Sequence, residues 1–125
     1  MIVGVGIDSV EIVRIAELLA RFEGAGRGRV FTAAELALAG EGPRRDETLA
    51  GRFAAKEAAM KALQTGVGQG AAFAEIELLR DPTGAPRLAF HGATAARATA
   101  LGVRRAHVSF THTATTATAV VVLEG

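Results

Sequence analysis

Apolar and polar positions alternate along the chain in rhythms that mark out helices, strands and turns. Ile2 to Ile7 is short, β-branched and interrupted by Gly4 and Gly6, which predicts a buried strand. Asp8-Ser9-Val10-Glu11 then has the D-x-x-E form of a helix-start capping box, so a helix is expected to open there. Ile12, Ile15, Ala16 and Leu19 give it one apolar face, with Arg14, Leu18 and Arg21 on another, and Gly24 to Gly28 ends it. Thr32-Ala33-Ala34-Glu35 is a second capping box, opening a short helix that stops near Gly40. Glu41 to Arg45 reads as a loop. Asp46 or Thr48 is placed to cap the longest helix, which runs to about Leu63 on residues of high helix propensity before Thr65 to Gly70 breaks it. Phe73 to Leu79 and Pro86 to Phe90 predict two strands joined across Asp81-Pro82-Thr83-Gly84. Ala93 to Leu101 predicts a helix closed by Gly102, and Ala106 to Thr111 and Thr116 to Leu123 alternate as a terminal hairpin. Helices and antiparallel strands without a βαβ rhythm indicate an α+β fold. We expect a single domain over residues 1–125, an antiparallel sheet with a long central helix.

Composition narrows this picture. The 125 residues fit one domain, and 27 alanines with no Trp, no Tyr and 6 Phe leave the core to Val, Leu, Ile and close alanine contacts. Lys plus Arg number 14 against 13 Asp plus Glu, a net charge of +1, which removes bulk polyanion binding and with it a nucleic-acid partner. The absence of cysteine excludes disulfides, thiolate metal sites and a cysteine nucleophile. The first residues lack a signal-peptide pattern and no run approaches the ~20 apolar residues of a membrane span, so no membrane partner and a cytoplasmic location are expected.

Three segments carry candidate chemistry. Asp8 follows a strand and opens the expected helix, where its carboxylate either caps backbone N–H groups or serves a phosphate or metal site. Gly4-x-Gly6 lacks the third glycine and βαβ unit of a dinucleotide fingerprint. Residues 49–63 place Arg52 with Lys56, and Glu57 with Lys61, four apart on opposite sides of a Phe53 and Met60 stripe. Either these are ordinary solvated i,i+4 pairs, or one carboxylate among three cations suits a phosphate ester with a divalent cation. On the last hairpin, His107, Ser109 and Thr111 share one strand face, toward a ligand or toward water, and Val108, Phe110 and His112 share the other. The two histidines therefore point apart, which argues against a zinc site, and no G-x-S-x-G elbow supports a serine hydrolase.

Taken together, Gly4-Val5-Gly6-Ile7-Asp8-Ser9-Val10-Glu11-Ile12-Val13-Arg14-Ile15, Gly51-Arg52-Phe53-Ala54-Ala55-Lys56-Glu57-Ala58 with Lys61-Ala62, Thr65-Gly66-Val67-Gly68, Gly84-Ala85-Pro86-Arg87-Leu88 and His107-Val108-Ser109-Phe110-Thr111-His112 resemble the holo-acyl-carrier-protein synthase family. These are small trimeric 4′-phosphopantetheinyl transferases, and the likeness spans nearly the whole chain. Gln64 departs from it where glycine is common, as does Ser9 where an apolar residue is usual. The stretch Ala114-Thr115-Thr116 lacks the charged or aromatic residues often found there.

The resemblance implies transfer of 4′-phosphopantetheine from coenzyme A to a serine of apo-acyl carrier protein in fatty acid biosynthesis, with Mg2+ as cofactor and a homotrimer as the assembly. It implies Asp8 and Glu57 as metal carboxylates and Glu57 and Lys61 as catalytic residues. Arg52, Lys61, Thr65, Gly66, His107, Ser109 and Thr111 are the implied coenzyme A contacts, and Arg14 and Arg21 the face for the acidic carrier protein. A coenzyme A-binding or carrier-binding module without catalysis, and a metal-dependent nucleotide hydrolase, are the rival readings.

Overall fold

Alanine at half of the buried positions of one helix decides how this chain packs. A computed structural model describes residues 1–24 and 29–125. In it, helix α3 (Arg45–Ala62) lies against a three-stranded antiparallel sheet. That sheet has the order β1 (Ile2–Glu11), β5 (Thr116–Glu124), β4 (Arg105–His112). Ala50, Ala54, Ala55, Ala58, Ala59 and Ala62 are buried, so the helix axis comes close to the strands with little side chain between. A second, two-stranded antiparallel sheet, β2 (Ile76–Arg80) with β3 (Pro86–Phe90), packs with the short helices α2 (Ala33–Ala39) and α4 (Gly92–Ala100) around the other side of the core. The α+β reading holds, and so do both hairpins. In the β2–β3 turn the Asp81 carboxylate accepts from the Thr83 and Ala85 N–H groups at 2.9 and 3.2 Å.

The largest correction concerns Asp8. No helix opens there: β1 continues through Glu11, with Asp8 opposite Ala119 and Glu11 opposite Thr116. Strand β5 is long enough to pair every residue of that stretch, so ladder hydrogen bonds satisfy the backbone that a cap was expected to serve. A 3-10 turn (Ile12–Arg14) follows, and helix α1 starts only at Ile15 and runs to Gly24. The expected stop at Gly24 to Gly28 otherwise lies outside the described residues. Arg14 therefore sits in the 3-10 turn, not on a continuous helical face with Arg21.

Helix α3 also begins earlier than its expected caps. Arg44 precedes it without a side-chain cap, and Asp46 and Glu47 fall in the first turn, where their charges suit the positive end of the helix dipole. The first half of the predicted strand at Phe73 is a 3-10 turn (Phe73–Glu75).

The second capping box forms as read, and it does more than cap. The Thr32 side chain accepts from the Glu35 N–H, and Glu35 Oε1 accepts from the Thr32 N–H at 2.8 Å. That same carboxylate is fully buried. Oε1 receives Lys56 Nζ at 2.7 Å and Oε2 the Leu78 N–H at 2.9 Å. Lys56 donates further to the carbonyls of Phe73 (2.9 Å) and Ile76 (2.7 Å). Burial pulls the ammonium below the ordinary lysine value and Glu35 pulls it back up. Lys56 is thus a structural bolt joining α3 to α2 and β2, not one of the cations facing a ligand.

Candidate active site

Side chains alternate along β1, so Gly4, Gly6, Asp8 and Val10 face α3 while Val5, Ile7, Ser9 and Glu11 face away. Asp8 therefore meets the C-terminal half of α3, where Glu57 and Lys61 lie one turn apart. Lys61 Nζ donates to Asp8 Oδ1 and to the Ile7 carbonyl, each at 3.0 Å. The Glu57 carboxyl is held above the usual carboxylate range, first by burial and then by the charge of Asp8, with Lys61 opposing both. Two carboxylates thus converge on one spot beside one ammonium. Among the described residues no group of three or more His, Cys, Asp or Glu is placed to hold a metal. A cation bound here would find two protein carboxylates and take its other ligands from water and a phosphate, a donor set that would suit Mg2+.

A second cluster lies toward the N-terminal half of α3. Arg44, Arg52, Arg80, Phe110, Thr111 and His112 contribute to the wall of a cavity of about 220 Å³. Arg52 is buried, its guanidinium 5.6 Å from the centre of the Phe110 ring. Nη1 donates to the Thr48 carbonyl at 3.1 Å, and Nε has no partner among the described residues. Burial and then the charge of Arg80 lower the proton affinity of Arg52, with Glu35 opposing both, and Glu47 is the carboxylate in the same cavity wall. His112 Nε2 stands 3.1 Å from Glu47 Oε1. Sequence reasoning did not find Arg44, Arg80 and His112. They come from a loop and two different strands, and only the fold brings them to Arg52.

The other predicted residues are distributed as follows. Thr65 and Gly66 follow α3 beyond Lys61, with Thr65 Oγ1 donating to the Gln69 carbonyl at 2.6 Å. His107, Ser109 and Thr111 lie on the face of the sheet opposite α3, with Thr111, near the end of β4, also bordering the Arg52 cavity. His107 reaches Glu124 there, at 3.0 Å. Within one chain that face is separated from Asp8, Glu57 and Lys61 by the sheet itself. Strand pairing arranges it in rows of Val5, Val122 and His107, then Ile7, Val120 and Ser109, then Ser9, Thr118 and Thr111. Val5 and Ile7 are about 60% exposed, a large apolar display for a strand centre. Arg14 is exposed, and Arg21 forms an exposed 3.7 Å pair with Glu17.

Residues 4–119 match the family model of the 4′-phosphopantetheinyl transferase superfamily. The chain is 51% identical to a holo-[acyl-carrier-protein] synthase of Solidesulfovibrio magneticus over the full length of both. It is 47% identical to one of Koribacter versatilis over 99% of each. Among solved structures, it resembles the holo-[acyl-carrier-protein] synthase of Neisseria meningitidis with a TM-score of 0.85 and 34% identity, covering all of both chains. It also resembles the Helicobacter pylori synthase in complex with coenzyme A, with a TM-score of 0.79 and 32% identity over 96% of this chain and 99% of that one.

Proposed function

The chain belongs to the 4′-phosphopantetheinyl transferase superfamily, and on that premise we propose how its residues carry out the transfer. The chain, acting as one domain over residues 1–125, transfers the 4′-phosphopantetheine group of coenzyme A to a serine of apo-acyl carrier protein. The products are holo-acyl carrier protein and adenosine 3′,5′-bisphosphate, in fatty acid biosynthesis in the cytoplasm. The observation that carries this reading is the convergence of Asp8, Glu57 and Lys61 at one end of α3, with an arginine-lined cavity at the other. Asp8 and Glu57 would hold Mg2+, which would supply charge neutralisation for the pyrophosphate.

The chain's own residues do the rest. The serine oxygen attacks the phosphorus that bears pantetheine, and the bond from that phosphorus to the bisphosphate oxygen breaks. Glu57, one turn from Lys61 at the reacting end of α3, accepts the serine proton. Lys61 fixes the Asp8 carboxylate and places a positive charge beside the reacting phosphate. Arg52, with Arg44, Arg80 and His112, binds the anionic nucleotide end, and Thr65 and Gly66, past the other end of α3, offer it backbone groups from a neighbouring subunit.

Both ends belong to one ligand when subunits share it. The open sheet face, with Val5 and Ile7 uncovered, fits burial against further copies of this chain in a homotrimer. His107, Ser109 and Thr111 then stand at the subunit boundary, where coenzyme A meets them. Arg14 and Arg21 receive the acidic carrier protein, steering its approach more than tightening its grip.

Mass spectrometry of apo-acyl carrier protein incubated with the chain, coenzyme A and Mg2+ tests this reading. Gain of one phosphopantetheine with release of one bisphosphate is expected. An unmodified carrier protein overturns the reading in favour of a binding module, or of a hydrolase if the nucleotide alone is broken down.

A further inference from the structure

At Gly4 and Gly6, strand β1 meets helix α3 backbone against backbone. A Cβ added at Gly6 would overlap the carbonyl oxygen of Ala58 and stand only 2.8 Å from the Ala58 carbonyl carbon and 2.9 Å from the Ala62 nitrogen. One added at Gly4 would overlap the carbonyl oxygen of Ala62 in the same way. Helix backbone cannot swing aside as the end of a flexible side chain can, so any side chain at Gly6 must lift the strand by about 1 Å or more to regain ordinary contact distance. Asp8 is the next residue on the same strand face. Its carboxylate reaches Lys61 at 3.0 Å, and the same ammonium holds the Ile7 carbonyl at 3.0 Å, between Gly6 and Asp8.

We infer that Gly6 is a positioning residue: its missing side chain sets the depth at which β1 rests on α3, and so the distance between the Asp8 and Glu57 carboxylates across which a divalent cation is shared. This inference rests on the metal-carboxylate reading above. Asp is short, with one methylene between backbone and carboxylate, so its reach depends directly on strand depth. Gly4 meets the same helix but lies about 13 Å from Asp8 along the strand, against about 7 Å for Gly6. Its side of the contact therefore supports packing without setting the pair.

The test titrates Mn2+ into the wild-type chain and its variants, follows free Mn2+ by electron paramagnetic resonance, and records each urea midpoint. Gly6→Ala is expected to weaken Mn2+ binding by about 10- to 100-fold, the cost usual for disturbing the support of a metal ligand. Gly4→Ala is expected to lose a similar share of stability and to bind Mn2+ within about threefold of wild type. Asp8→Glu keeps the charge and leaves the backbone contact of Gly6 with Ala58 unaltered. On the unshifted strand it is expected to overshoot and lose about tenfold in affinity, and in the Gly6→Ala background to recover part of what that change removed. The double variant also needs less Mn2+ than Gly6→Ala for half-maximal transfer. Wild-type affinity in Gly6→Ala, or equal losses in Gly4→Ala and Gly6→Ala, overturns the inference. If Gly6→Ala does not fold, Asp8→Glu decides alone, and unchanged Mn2+ affinity there also overturns it. A wild-type chain that neither binds Mn2+ nor transfers overturns the site reading itself, an outcome distinct from these.

Discussion

Replacing Glu35 by alanine should be among the most damaging single changes in this chain, although Glu35 lies in a seven-residue helix outside the candidate site. The carboxylate is fully buried and holds three donors: Lys56 Nζ at 2.7 Å, the Thr32 N–H at 2.8 Å and the Leu78 N–H at 2.9 Å. Removing it leaves the Lys56 ammonium buried with only two carbonyls, the kind of broken ion pair that costs about 3–5 kcal/mol. Two backbone N–H groups also lose their acceptor, at about 1–3 kcal/mol each where water cannot enter. A total near 5 kcal/mol or more is expected, against a global stability of about 6–19 kcal/mol for a chain of this length. Urea unfolding at one fixed protomer concentration measures it, since the proposed self-association would contribute to the midpoint. Adding Lys56→Met should return part of the loss, because no buried cation is then left unpaired. A Glu35→Ala chain within about 1 kcal/mol of wild type, or a double variant no more stable than Glu35→Ala alone, would refute the reasoning.

Three further outcomes follow from the same contacts. Glu57 has a raised folded-state pKa, so the folded chain holds its proton longer than the unfolded one, and metal-free stability falls as pH rises through the window just above 4.5. Glu57→Gln should flatten that fall and raise the metal-free Tm at neutral pH by about 1–3 °C, while transfer is lost; thermal scans across pH check it. Val5→Asp places a charge in the exposed apolar row of the sheet and should turn the proposed trimer into folded monomers by light scattering, with unchanged circular dichroism and little transfer. Gln64, at φ 57°, is the one non-glycine of positive φ among the described residues, so Gln64→Gly should stabilise the chain by about 1 kcal/mol in urea unfolding.

The elements most legible in the sequence were those set by local chemistry. The Thr32–Glu35 box, the Asp81–Gly84 turn, strand β3 and the terminal hairpin follow from residues a few positions apart. Asp8 was misread because its D-x-x-E spacing suits a cap equally well. Only β5, more than a hundred residues later, supplies the pairing that keeps the segment extended. Periodicity placed Lys56 on a helix face correctly but could not say that Glu35 and two carbonyls would enclose it. Gln64 was visible as a departure from a usual glycine, and its left-handed backbone explains that preference. The Asp8, Glu57 and Lys61 cluster came from family resemblance, since nothing local joins residues some fifty positions apart. The arginine cavity gathers a loop, α3, β2 and β4, and of its wall only Arg52 and Thr111 were named as coenzyme A contacts from the sequence.

The most direct test of the account is the rate at which Asp8→Asn converts apo-acyl carrier protein, measured at saturating coenzyme A, carrier protein and Mg2+. Asparagine keeps the size of the side chain and removes one of the two converging carboxylates. The account predicts a fall in kcat of about 10²–10³ with the urea midpoint little changed, the scale of losing one electrostatic contact at a reacting centre. Transfer at the wild-type rate by a folded Asp8→Asn chain would contradict it.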